Sequence, residues 1–265
     1  MTEILSNFAL QLLFTVGIVV LFGLLIAFSR RTFCRLLGRA GPIVLLITGI
    51  VGTPVHELSH AAMCLLFGHH IDEIKLFTFR GDGTLGYVRH SYNPRNLYHR
   101  IGGFFIGVAP ILGGSAVLLL LMRLMVPQAF FAAADMLSAP LSGAPVLDYL
   151  SRFFGVLGAV FAWQNFANPL WWLFLLPALM IAGHMEISAS DLRSGISGFS
   201  FIAISLLVID ALLFLLSPSL LTGLTDLCLG ISAFAVGFLA ISGVFSLLLI
   251  ALAALIRLIT KPLRG

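Results

Sequence analysis

The sequence predicts an all-α membrane protein, a polytopic helical bundle of about six transmembrane helices with a small β-hairpin insertion. Three observations predict it. Of the 265 residues, 60% are hydrophobic and only 10% charged, with a mean hydropathy of +1.09, whereas a soluble domain carries roughly a quarter charged residues. The apolar residues gather in runs of about 20 or more, long enough to cross a hydrocarbon core of roughly 30 Å as helices; barrel strands would be shorter and would alternate. Residues 68–100 alone stay polar long enough to read clearly as an element outside the bilayer. The reading is one integral, multi-pass membrane domain over residues 1–265, in a cell membrane of the bacterial inner-membrane kind. Its parts are a core over about 41–195, the hairpin region at 68–100 and C-terminal transmembrane helices over 196–265.

The first run, residues 8–29, exceeds the apolar core of a signal peptide and has no basic leader, which predicts a retained helix. Arg30, Arg31, Arg35 and Arg39 then predict a basic connection or interfacial helix. The second span covers 41–67. Within it Thr53 and Pro54 follow Gly52 as an N-cap and a first-turn proline would, so the helix either restarts there or kinks. "IKLFTFRGDGTLGYVRHSY" reads as two short strands about a Gly81-Asp82-Gly83 turn. A third span covers 101–125, where "GVAPILGG" permits close helix approach, and 126–150 reads as a loop. Residues 153–187 are too long for one span; "NFANPL" predicts an interfacial or re-entrant piece before a fourth helix. Runs at 196–216 and 227–259 complete the six, with no internal repeat.

A net charge of +4 concerns orientation and lipid headgroups in such a chain, so the bilayer is an expected partner and nucleic acid is not. The larger Lys and Arg number on the hairpin's side places both termini and the hairpin in the cytoplasm. Cys34, Cys64 and Cys228 show no paired or metal-type spacing and read as small apolar filler.

Chemistry concentrates in "GTPVHELSHAAMCLLFGHH". His56, Glu57 and His60 form H-E-x-x-H. On a helix, positions four apart lie about 40° apart around the axis, so both imidazoles can face one ion with Glu57 beside it. Zinc suits that set: two imidazoles and one further protein ligand leave a position for water, whose proton the carboxylate can take as general base. Ionisable groups in lipid cost roughly several kcal/mol unless paired, coordinated or hydrated, which favours a metal site over idle side chains. The third ligand must come from elsewhere. In "GHMEISASDLRSG", His184 and Asp191 lie seven apart, on one stripe of a helix with Ser188 near it, and spacing does not choose between them. Glu186 falls on the other side of that wheel and reads as an interfacial carboxylate. His69 and His70 follow Gly68 as carbonyl-capping or headgroup-facing residues, a second metal site being the lesser alternative. Asp210 reads as paired inside the bundle. Asn165 and Asn168 either bind substrate backbone or make hydrogen bonds at the interface.

"HELSHAAMCLLFG" ending an apolar run, a hairpin after it, "GVAPILGG" on the next span and an acid on a later one resemble the site-2 proteases, intramembrane zinc metalloproteases, over about residues 41–195. The resemblance implies Zn2+ on His56 and His60, Glu57 as catalytic base and an Asp of an L-D-G motif as third ligand. Asp191 in "SDLRSG" matches that motif loosely, there is no L-D-G, and Asn168-Pro169 lies too far upstream to copy the family's spacing. It also implies that residues 74–92 present a strand edge to an unwound substrate. The function expected is a zinc-dependent intramembrane endopeptidase acting on membrane-protein or peptide segments. A metal-binding transporter or channel component, or a non-proteolytic scaffold of similar fold, are the alternatives.

Overall fold

Uninterrupted runs of Leu, Ile, Val, Phe and Ala leave the helix as the backbone's means of satisfying its own N–H and C=O groups in lipid. The computed structural model, which describes residues 2–78, 84–138 and 145–260, is built in that way. Its elements are α1 (Thr2–Phe14), α2 (Val16–Leu37), α3 (Gly41–Leu66), β1 (His70–Lys75), β2 (Tyr87–Ser91), α4 (Leu97–Met125), α5 (Pro127–Ser138), α6 (Pro145–Val160), α7 (Pro169–Ala182), α8 (Ala189–Leu216) and α9 (Pro218–Thr260). Among the described residues, five helical stretches are long and apolar enough to cross a membrane: Thr2–Leu66, Leu97–Met125, Val146–Ala167, Ser190–Leu216 and Pro218–Thr260.

The first of these stretches, at 65 residues, is far longer than the about 20 that one crossing needs. It holds both of the expected first two runs, 8–29 across α1 and α2 and 41–67 as α3; α2 carries Arg30, Arg31 and Arg35, good helix formers, as far as Leu37 before Gly38 turns at φ 58. The expected fourth helix is only the short α7. Asn168 begins it, its side chain accepting from the Leu170 N–H at 3.0 Å with Pro169 in the first turn. Residues 126–150 are not a loop throughout. Pro127 opens α5, whose Ala129 and Ala133, one turn apart, are buried, while the Arg123 guanidinium sits 4.7 Å from the Phe131 ring.

α9 has 43 residues, about 65 Å of helix, and its stripe of Ala233, Val236, Ala240 and Val244 is buried. Phe245 meets Phe174 of α7 edge-on at 5.4 Å, and the Trp171 indole N–H donates to the Val160 carbonyl at 2.8 Å. Asp210 has a bundle partner: Gln11 Nε2 donates to its Oδ1 at 3.1 Å and to Thr225 Oγ1 at 2.9 Å, joining α8, α1 and α9. Asn165 serves the backbone, donating to the carbonyls of Ala159 and Val160 at 2.8 and 2.9 Å. Leu21, Leu24, Phe28 and Leu215, on the outside, are exposed, as lipid-facing residues are.

Two features position the site. α4 lies between α3 and α8 at close range: a methyl on Gly107 would stand 2.5 Å from the Asp191 carbonyl oxygen. The hairpin follows α3 directly, β1 and β2 pairing antiparallel from His70↔Ser91 to Lys75↔Tyr87 with a bulge between Ile71 and Glu73. The Gly81-Asp82-Gly83 turn lies outside the described residues.

Candidate metal centre

α3 runs without a break from Gly41 to Leu66, so of the two alternatives at Thr53 and Pro54, a restart or a proline within one helix, the restart does not occur. An interior proline removes one backbone bond and crowds the carbonyl four residues back, and here the helix absorbs that at Pro54. Thr53 caps nothing; its hydroxyl lies 3.5 Å from His184 Nδ1. The unbroken helix sets His56 and His60 one turn apart on one face.

Both rings are held from behind. His56 Nδ1 donates to the His184 carbonyl at 2.6 Å, and His60 Nδ1 donates to the Ile106 carbonyl at 2.8 Å. A carbonyl can only accept, so each ring carries a hydrogen on Nδ1 and, as the neutral imidazole that binds a metal, leaves Nε2 bare. The two Nε2 atoms face one another at 3.2 Å, and Asp191 Oδ1 stands 3.4 Å from that of His60. Ligand atoms of His56, His60 and Asp191 all lie within 4.8 Å of one another. Three acceptors converging in a mostly buried pocket repel unless a cation lies among them, which fits a metal site. Backbone carbonyls orienting ligand imidazoles is the common outer arrangement around such ions.

Asp191 reaches this point through the start of α8. Ser188 is the N-cap: its Oγ accepts from the Asp191 N–H at 3.2 Å, and Asp191 Oδ2 accepts from the Ser188 N–H at 2.8 Å. One carboxylate oxygen is thereby fixed by the cap and the other is free to face the histidines.

His184 stands apart from the convergence. α7 ends at Ala182 and α8 begins at Ala189, so His184 and Asp191 share no helical stripe; Gly183 closes the first helix and Ser188 opens the second. The Thr48 hydroxyl donates to the Val44 carbonyl, so it accepts from His184 Nε2 at 3.0 Å. What His184 offers the centre is its carbonyl. Glu186, in the same connection, forms an ion pair with Arg30.

Glu57 is 6% exposed and lines a cavity of about 440 Å3 together with His56, His60, Asp191, Tyr87 and Val88. A methyl on Gly86 would come within 2.8 Å of Glu57 Cγ, so the approach to β2 presses against the carboxylate's stem. The helper carbonyls of Ile106 and His184 leave no trace in residue identity. Ser188 did carry one, since S-x-x-D is a helix-start signature.

Comparison with protein-family models, with curated proteins and with solved structures finds no match for this chain.

Proposed function

We propose that this chain is a zinc-dependent intramembrane endopeptidase, a divergent relative of the site-2 proteases, that cleaves transmembrane or membrane-proximal segments of membrane proteins. The observation that carries the reading is the convergence of His56 Nε2, His60 Nε2 and Asp191 Oδ1, within 4.8 Å of one another, beside Glu57 in one cavity. Two imidazoles and a carboxylate are a donor set that suits zinc, whereas calcium or magnesium sites are built from oxygen. Asp191 is then the third ligand, and His184 supports His56. When bound, zinc supplies Lewis acidity, acidifying water and polarising a carbonyl.

The chain's own residues do the rest. Glu57 takes the proton from the attacking water and returns it to the leaving amine. Its place next to His56 on α3 keeps it beside the reacting atoms. A substrate helix must unwind first, because its peptide bonds are hydrogen-bonded to one another. In a two-stranded sheet, β2 has an outer edge to which an extended segment can pair, and Tyr87 and Val88 of that strand line the cavity.

The test is incubation of the detergent-solubilised protein with a panel of single-pass membrane segments, with and without a zinc chelator. Cleavage that stops on chelation and returns with added zinc is expected. Zinc-dependent ion flux in vesicles with no cleavage of any segment would replace the peptidase by a transporter. A milder effect is expected from Ser188→Ala, which loosens the first turn of α8: about 1 kcal/mol of stability is lost, and zinc affinity, read by chelator competition, falls about tenfold.

A further inference from the structure

A second cluster of ligand side chains lies one turn farther along α3, under the hairpin. Cys64 follows His60 by four residues and shares its stripe. Past it the helix closes on Gly68 at φ 70, with the His69 N–H bonded back to the Cys64 carbonyl at 2.8 Å and the Gly68 N–H to that of Leu65 at 3.3 Å. This paired closure folds His69 back beneath Cys64. β2 then brings in His90. Ligand atoms of Cys64, His69 and His90 all lie within 4.8 Å of one another, and Cys64 is 0% exposed.

The orientation of His69 is fixed as in the first centre. Its Nε2 donates to the His99 carbonyl at 2.8 Å, which leaves Nδ1 bare, and that atom faces His90 Nδ1 at 3.0 Å. Tyr92 stacks on the ring at 4.6 Å between centroids. Ring nitrogens bound to one tetrahedral zinc at about 2.0–2.1 Å sit about 3.3 Å apart, so a small opening of the pair admits the ion. Burial holds both imidazoles below the ordinary histidine pKa, and His69 adds to the effect on His90.

We infer that Cys64, His69 and His90 form a second zinc site, with its fourth position left to water, that ties strand β2 to the end of helix α3. A thiolate with two imidazoles is a set for zinc rather than for calcium or magnesium. The site's purpose follows from His90, which also lines the cavity holding Glu57: clamping His90 to α3 fixes the strand that borders the first centre. The two sites are independent in their ligands.

Cobalt discriminates between them, because only a thiolate gives a near-ultraviolet sulfur-to-cobalt charge-transfer band. Purified full-length protein titrated with Co2+ is expected to take up two ions and show that band. Cys64→Ser should lose the band and one ion. A His56→Ala/His60→Ala variant should keep the band and lose the other ion, so the two proposals fail separately. His90→Ala, which removes a ligand but spares the thiol, should weaken the band-forming site by at least about 100-fold, the upper end of what losing a mere supporting partner costs. A single ion without the band would leave His69 and His90 as a plain hydrogen-bonded pair and overturn the inference; so would a band that survives in Cys64→Ser.

Discussion

Glu57→Gln is expected to keep its fold and its bound zinc while cleavage falls by about 10²–10⁴-fold, the usual contribution of a positioned general base. The amide fills the same space beside His56 but cannot take a proton from water. Zinc retention is expected because the converging atoms belong to His56, His60 and Asp191 and not to Glu57. Single-turnover cleavage and metal content, measured on the same preparation, check both halves. Zinc retained with cleavage near the native rate would remove Glu57 from the chemistry, and zinc lost with it would make Glu57 a ligand.

Gly107→Ala is expected to damage the metal centre without touching a ligand. Its new methyl would stand 2.5 Å from the Asp191 carbonyl oxygen and 3.2 Å from the backbone of Gly195. Both obstacles are backbone, so α8 must move away from α4 as a body and take Asp191 with it. The Ile106 carbonyl that holds His60 is one residue away and shifts too. Overpacking of this kind costs about 1–3 kcal/mol, and a displaced ligand should lower zinc affinity by about 10–100-fold, as loss of a supporting partner does. Thermal unfolding and chelator competition measure the two effects. Gly158→Ala is the control: a methyl there meets nothing within 4 Å, and it is expected to be neutral or to stabilise α6 by about 0.5–1 kcal/mol.

Much of the architecture is legible in the sequence because hydrophobic run length is a direct consequence of bilayer thickness. The hairpin's two short strands about a glycine turn and the His56–His60 spacing are local signals of the same kind. What resists reading depends on contacts between distant segments. His184 and Asp191 look like neighbours on a wheel only if the helix continues between them, and the Ser188 cap ends that assumption. Pro54 looks like a helix start, yet α3 passes through it with Gly52 packed against the end of α7. A methyl there would meet the Met180 carbonyl oxygen at 2.4 Å. Cys64 has no metal-type spacing in sequence because its two companions arrive by a helix closure and a strand pairing. Carbonyl partners such as Ile106 are invisible in principle, since every residue has one.

The most direct measurement is anomalous scattering at the zinc absorption edge from crystals of the purified protein grown with zinc. A peak is predicted at the point where His56 Nε2, His60 Nε2 and Asp191 Oδ1 converge, with Glu57 beside it. Its absence there, with the two imidazoles joined by a shared proton or a water, would contradict the metal centre and the peptidase reading with it.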